Sequence, residues 1–145
     1  MQTFQRILVP VDGSATADEA IGYAVNIALL NNSCIYLLYV SYFDGDTDSS
    51  VEGISWLPDA VSGSVTRASK LILGHARAMI PSDITVEAYQ ETGIPSKTIV
   101  KFAEDHTNDL IVIGCRGLGI VEGFLLGSVS QYVLEHSKCP VLLIK

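Results

Sequence analysis

Five short apolar runs alternate along this chain with four longer stretches in which apolar residues recur at helical spacing. The apolar runs occupy residues 7–11, 34–40, 84–91, 110–113 and 141–144. The helical stretches cover residues 16–30, about 58–80, a segment beginning near Pro95, and 128–137. This alternation predicts a doubly wound α/β fold, in which a five-stranded parallel sheet carries helices on both faces. No linker or internal repeat interrupts the pattern, so residues 1–145 are expected to form one domain.

The ends of the predicted elements carry their own signals. The first helix has two competing N-caps, because Thr16 forms a capping box with Glu19 and Ser14 stands just before it. Pro95 suits the first turn of the third helix. Residues 84–91 alternate between apolar and polar, which is typical of a half-exposed strand at a sheet edge. Residues 41–57 are rich in Asp, Ser, Gly and Thr and are interpreted as a long loop.

The composition limits the kinds of protein that this chain can be. Of its 145 residues, 48% are hydrophobic and 17% charged, with a formal net charge of −7. Nucleic acids and anionic membranes attract concentrated positive charge, so neither is expected as a partner. The apolar runs are too short to cross a bilayer, and no export signal is visible. Three cysteines without a CxxC pair fit a reducing compartment, which predicts a cytoplasmic protein.

The predicted sheet also predicts where a ligand would bind. In a doubly wound sheet, ligands lie beyond the carboxyl ends of the strands, where the strand order reverses. With the expected order 3-2-1-4-5, that crevice opens between the first and fourth strands. The first strand ends in Pro10-Val11-Asp12, and Pro10 cannot donate to a neighbouring strand, which places it where pairing stops. The fourth strand ends in Ile113-Gly114, so these two strand ends form the predicted walls of the site.

A glycine-rich segment follows the fourth strand. Residues 114–127 contain five glycines, which allow the backbone to approach a ligand closely and to adopt positive φ. Gly127-Ser128 then begins a helix, where free N–H groups, the helix dipole and a hydroxyl together favour phosphate. The alternative is a flexible connector with a serine N-cap. Taken alone, the segment does not decide between these two interpretations.

Known ion-binding and phosphate motifs do not match the chain. A Walker loop requires Gly-Lys-Ser/Thr, and no lysine occurs between Lys101 and Lys138. The dinucleotide fingerprint requires a glycine where Glu122 stands. The acidic stretch from Asp44 has serine at positions 49 and 55, where a calcium loop has glycine and glutamate, so a solvated loop is expected instead.

The spacing of the glycines nevertheless matches a known pattern. Gly114-x2-Gly117-x9-Gly127-Ser128 resembles the G-x2-G-x9-G-[S/T] motif of the ATP-binding branch of the universal stress protein family. The resemblance extends along the chain through residues 7–14, 93–95, 109–114 and 137–144. It implies the adenine nucleotide alpha hydrolase-like fold, with one doubly wound five-stranded parallel sheet.

The resemblance also implies roles for individual residues. Pro10, Val11 and Asp12 would contact the base and sugar, with a cap or turn role as the less favoured alternative for Asp12. Val40 and Ile113 would provide apolar walls for adenine, or simply belong to the core. Gly114 and Gly117 would pass close to the ribose and the α-phosphate. The β- and γ-phosphates would be held through main-chain N–H groups and hydroxyls by Gly127, Ser128, Val129 and Ser130. Arg116 would either pair with a phosphate or point into solvent. A Mg²⁺ or Mn²⁺ ion is expected to accompany ATP, because the site has little positive charge.

Three functions are compatible with the resemblance. The favoured one is a regulator in the stress response, in which ATP, ADP or AMP changes the state that an unidentified protein partner recognises. The second is slow ATP hydrolysis, although no lysine reaches the expected γ-phosphate and no catalytic residue is assigned. The third is a structural dimer that binds no nucleotide. Family members pair through their last strands, which implies a homodimer through residues 141–144.

Overall fold

A five-stranded parallel sheet forms the centre of the protein. The computed structural model describes residues 3–44, 47–48, 56–57, 65–115 and 126–145. Its elements in chain order are β1 (Arg6–Pro10), α1 (Ala15–Asn31), β2 (Cys34–Ser41), β3 (Phe43–Asp44), β4 (Thr47–Asp48), α2 (Val65–Ala78), β5 (Val86–Thr92), α3 (Pro95–Asp105), β6 (Leu110–Gly114), α4 (Ser128–His136) and β7 (Val141–Ile144).

The strand order is β5-β2-β1-β6-β7, and all neighbouring pairs in this sheet are parallel. Counting only the strands of this sheet, the order is 3-2-1-4-5, which confirms the prediction from the sequence. The central strands β1 and β6 are almost wholly apolar because helices cover them on both faces. β5 lies at one edge of the sheet and β7 at the other, and the expected half-exposed edge strand is therefore confirmed.

Two hydrophobic clusters fill the space between the sheet and its helices. Alternate residues of β1 point to opposite faces, so Ile7 and Val9 belong to one cluster and Leu8 to the other. The first cluster joins the sheet to α1 and α2, and the second joins it to α3 and α4. This division confirms the doubly wound architecture.

The structure decides between the two candidate caps of α1. The Ser14 hydroxyl accepts a hydrogen bond from the N–H of Ala17 at 3.3 Å, and the helix begins at Ala15. Ser14 is therefore the N-cap, and Thr16 lies inside the first turn. Pro95 is confirmed as the first residue of α3.

Two boundaries differ from those expected. The predicted loop over residues 41–57 contains a small antiparallel hairpin, in which β3 pairs with β4. The third strand of the main sheet begins at Val86 instead of residue 84, because Ile84 closes a turn in which its N–H bonds to the carbonyl of Pro81. The expected beginning of α2 near residue 58 falls outside the described residues. Within the described ranges, no helix has the length and apolar character needed to span a membrane.

Candidate functional site at the carboxyl edge of the sheet

The turn after β1 is fixed by its own polar groups. Val11 extends the pairing past Pro10, since its N–H donates to the carbonyl of Leu38 at 2.9 Å. Asp12 accepts a hydrogen bond from the Ser14 N–H through Oδ1 at 2.9 Å, which forms an Asx turn. Gly13 adopts a φ of 84°, a left-handed conformation that glycine tolerates best. Asp12 is therefore a turn residue in this structure. Its second carboxylate oxygen accepts no hydrogen bond from the described residues.

Gly114, at the end of β6, lies against the first turn of α1. A Cβ atom at this position would stand 2.8 Å from Oγ1 of Thr16 and 2.9 Å from its Cβ. Because such distances are shorter than any van der Waals contact, this position requires glycine. The close approach that explains Gly114 is thus an approach to α1, the helix that follows β1.

Cys115 and Gly127 hold together the two ends of the glycine-rich segment. The Gly127 N–H donates to the carbonyl of Cys115 at 2.8 Å. The Ser130 hydroxyl lies 3.1 Å from the carbonyl oxygens of both Cys115 and Gly127 and can donate to either. Ser130 is only 3% exposed, so its hydroxyl fastens the base of the segment and points away from solvent. The sequence indicated a phosphate contact for Ser130, whereas the structure places its side chain in this internal network.

The beginning of α4 presents backbone N–H groups that no side chain in the described part of the chain caps. Gly127 is the N-cap, and no side chain of the described residues caps the helix. The alternative of a serine N-cap is therefore not realised, because Ser128 is already the first helical residue. Its side chain is exposed, and Val129 behind it is half-buried. The N–H groups of the first helical turn have no partner within a helix, and no acidic residue opposes an anion there.

The apolar residues expected to face adenine belong to the core. Val40 and Ile113 are both buried and both part of the cluster beneath α3 and α4. Both are therefore core residues, as the alternative interpretation predicted. They lie at the carboxyl ends of β2 and β6. Arg116 and Gly117 lie outside the described residues.

A large groove lies at the opposite, amino end of the sheet. It has a volume of about 850 Å³, and Arg6, Cys34, Tyr36 and Glu87 contribute to its lining. The Glu87 carboxylate accepts a hydrogen bond from the Tyr89 hydroxyl at 3.1 Å and lies 3.7 Å from the Cys34 thiol. Burial, followed by the Glu87 charge, raises the pKa of the Cys34 thiol, which keeps it protonated and unreactive at neutral pH. This groove is too far along the strands to belong to the site at the carboxyl edge.

The backbone contacts that assemble the site were not foreseen from the sequence. The Cys115 carbonyl joins the two ends of the glycine-rich segment, and the Cys115 N–H donates to the Ile144 carbonyl at 2.7 Å. A backbone role leaves no mark on residue type, so no sequence signal could have revealed it.

The strand order of the sheet, with helices on both of its faces, defines a class of protein. It is an α/β protein of the adenine nucleotide alpha hydrolase-like fold. Within that class, the chain belongs to the universal stress protein family, whose profile matches residues 3–145.

Several known proteins are similar to this chain over nearly its whole length. A universal stress protein of Methanocaldococcus jannaschii is 32% identical, over 98% of this chain and 82% of that protein. YxiE of Bacillus subtilis is 31% identical, over 98% of this chain and 99% of its own. Among solved structures, the universal stress protein UspA from Lactobacillus plantarum matches with a TM-score of 0.76 at 30% identity, with full coverage of both chains.

Two more distant structures share the fold. One is a universal stress protein from Archaeoglobus fulgidus in complex with dAMP, at 24% identity and a TM-score of 0.73. It covers 99% of this chain and 100% of that one. The other is a universal stress protein in complex with cAMP, also at 24% identity, with a TM-score of 0.68 and coverage of 99% and 98%.

Proposed function

We propose that this universal stress protein binds an adenine nucleotide, ATP in the first place, in the crevice between the ends of β1 and β6. The observation that carries the proposal is the beginning of α4, where Gly127 is the N-cap and no side chain within the described ranges caps the first-turn N–H groups. A helix start of this kind attracts phosphate through those N–H groups and the helix dipole. The exposed Ser128 hydroxyl adds a donor at the same place.

The base and sugar would lie toward β1. Asp12 has one carboxylate oxygen without a donor among the described residues, and that oxygen can accept a hydrogen bond from a ribose hydroxyl or an exocyclic amine. Pro10, Val11, Val40 and Ile113 supply apolar surface at the neighbouring strand ends. The structures in complex with dAMP and cAMP support an adenine nucleotide as the ligand class.

A divalent cation would enter with the triphosphate. Among the described residues, no three His, Cys, Asp or Glu side chains come close enough together to hold a metal ion. The donors at the helix start are neutral N–H and hydroxyl groups, so they suit phosphate oxygens and leave part of the phosphate charge uncompensated. Mg²⁺ or Mn²⁺ would therefore be bound chiefly by the phosphates. Arg116 is a further candidate to neutralise the phosphate charge.

The nucleotide would act through the edge strand β7, as a cytoplasmic regulator. Cys115 bonds to Gly127 at the base of the glycine-rich segment, and its N–H also bonds to the last residue of β7, Ile144. A change at the helix start can therefore reach the edge of the sheet through one residue. A protein partner or a second copy of the chain could distinguish the two states.

Replacing Ser128 with alanine is expected to weaken Mg-ATP binding about tenfold, because one hydrogen bond to a charged phosphate is lost. AMP binding should change little, since AMP lacks the β- and γ-phosphates. Calorimetric titration of both nucleotides into the purified variant measures the two effects.

Ser130→Ala is the matched control for this experiment. The Ser130 hydroxyl bonds to backbone carbonyls inside the protein, so its removal should lower the free energy of unfolding by about 1 kcal/mol. The change in ATP affinity should be smaller than in Ser128→Ala. The assignment of the phosphates to the beginning of α4 is wrong if Ser128→Ala binds Mg-ATP as tightly as the unmodified protein.

The proposal includes a homodimer formed through β7. This strand is only four residues long, lies at the sheet edge, and exposes 36% of Leu142. Leu142→Lys is expected to convert the dimer to a monomer, because a lysine on an edge strand opposes pairing. Sedimentation velocity measures the result, with Leu30→Lys as a control at an 87% exposed position on α1. An unmodified protein that sediments as a monomer at tens of micromolar, roughly the range that weak edge pairing requires, contradicts this assignment.

A further inference from the structure

Trp56 connects the segment after the β3–β4 hairpin to the turn that follows β1. Its indole N–H donates to the carbonyl of Gly13 at 3.0 Å. The indole ring also stacks on the His75 imidazole of α2, with the ring centroids 4.4 Å apart and the planes 17° from parallel. The ring packs against the cluster beneath α1 and α2. Trp56 therefore makes a hydrogen bond to the turn and a ring-stacking contact with α2.

His75 is itself held in place by α1. Its Nε2 lies 3.0 Å from Oδ2 and 3.2 Å from Oδ1 of Asp18. Asp18 stands in the first turn of α1, where a carboxylate is favoured by the helix dipole. These contacts link Gly13 to Asp18 through Trp56 and His75, and the four residues are called the circuit below. Both ends of the circuit lie within six residues of one another on the β1–α1 segment.

The circuit acts on the peptide that joins Gly13 to Ser14. Gly13 has the left-handed φ of 84°, and Asp12 bonds to the N–H of Ser14 across it. A carbonyl in such a turn can rotate when nothing holds it, since glycine has little conformational preference. The indole N–H fixes the direction of that carbonyl, and the adjacent Asp12 carboxylate is oriented with it.

We infer that Trp56 is a positioning residue for the β1–α1 turn and, through it, for the base-and-sugar end of the nucleotide site. The indole N–H selects one orientation of the Gly13 peptide, and the stack on His75 keeps the indole in place. The consequence for nucleotide binding rests on the function proposed above. The consequence for the turn itself does not.

The test compares Trp56→Phe with the unmodified protein. Phenylalanine can still stack on His75 but has no N–H to donate to Gly13. Amide hydrogen exchange of Ser14, Ala17 and Asp18 in the nucleotide-free protein is expected to become faster. AMP and Mg-ATP should both bind more weakly by the same factor, about threefold to tenfold, because the base and sugar are common to both.

Two further variants complete the test. His75→Ala removes the ring beneath Trp56 and should speed the same amides. His136→Ala removes a comparable stack on α4, in which the ring centroids of His136 and Tyr132 are 3.9 Å apart. This variant should leave the exchange rates of those amides unchanged.

Two results overturn the inference. One is unchanged amide exchange of the turn in Trp56→Phe, and the other is a loss of ATP affinity without an equal loss of AMP affinity. If the unmodified protein binds no nucleotide, the proposed function fails, and amide exchange alone decides whether Trp56 positions the turn. A single indole N–H resonance is expected in NMR spectra because the chain has one tryptophan, and that resonance should shift when AMP binds.

Discussion

Gly114→Ala is expected to lower the free energy of unfolding by about 2–3 kcal/mol, because the new methyl group has no space. It would lie 2.8 Å from Oγ1 and 2.9 Å from Cβ of Thr16, and 3.0 Å from the backbone carbon of the same residue. Rotation of the Thr16 side chain cannot relieve the contact with its backbone, so β6 or α1 must shift. Urea denaturation measures the loss. The shift would also separate the two strand ends that form the proposed site, and nucleotide binding should weaken with it.

Gly22→Ala is the matched control for this substitution. Gly22 lies on α1, and a Cβ atom there would have no neighbour within 4 Å. Alanine at this helical position should therefore stabilise the protein by about 0.5–1 kcal/mol. If the two alanine substitutions change stability equally, the contact between Gly114 and α1 is not what requires glycine.

Asp109→Ala is expected to cost about 2 kcal/mol, since a charged group that joins two central strands is lost. Its Oδ2 accepts a hydrogen bond from the Gln5 N–H at 2.8 Å, and its Oδ1 accepts one from the Arg6 N–H at 3.0 Å. Arg6 is the first residue of β1 and Gln5 directly precedes it, while Asp109 directly precedes β6. The carboxylate therefore fixes the register of the two central strands at their amino ends. The free energy of unfolding in urea again measures the effect.

Two comparisons separate this role from a general charge effect. Asp109→Asn keeps one acceptor oxygen and should lose about half as much stability. Asp83→Ala removes an exposed carboxylate and should stay within about 0.5 kcal/mol of the unmodified protein. A loss in Asp83→Ala equal to that in Asp109→Ala contradicts the role given to Asp109.

The sheet order could be predicted because each strand has a distinct hydrophobic pattern. An almost wholly apolar run indicated that β6 is a central strand, and alternation indicated that β5 lies at an edge. Pro10 marked the end of β1 because it cannot donate to a neighbour. The β3–β4 hairpin was missed because its strands have two residues each, too few for any period to emerge.

The composition of the site was more predictable than its internal contacts. The motif predicted Gly114, Gly127 and Ser128, yet it did not show that Gly114 is needed for contact with α1. Ser130 was expected to bind phosphate because a hydroxyl at a helix start can do so. Its orientation toward the Cys115 carbonyl depends on how the two ends of the segment meet, and a linear pattern does not encode that.

The contacts of Trp56 could not be predicted from the sequence either, because they join residues from different elements. The sequence pattern placed Trp56 only within a loop and did not link it to His75. Their stacking joins residues that are far apart in the chain, and Asp18 completes the arrangement from a third element. Such contacts follow from the packing of α1 against α2, which becomes known only when the helices are placed on the sheet.

Titration of the nucleotide-free protein with Mg-ATP in a calorimeter tests the central claim most directly. The account predicts saturable binding at about one nucleotide per chain and a clear loss of affinity in Gly127→Val. Gly127 has a φ of −68° and a ψ of 156°, angles that valine also adopts, so the variant should fold and lose mainly access to the helix start. Absence of binding heat and of thermal stabilisation at millimolar Mg-ATP would contradict the nucleotide site.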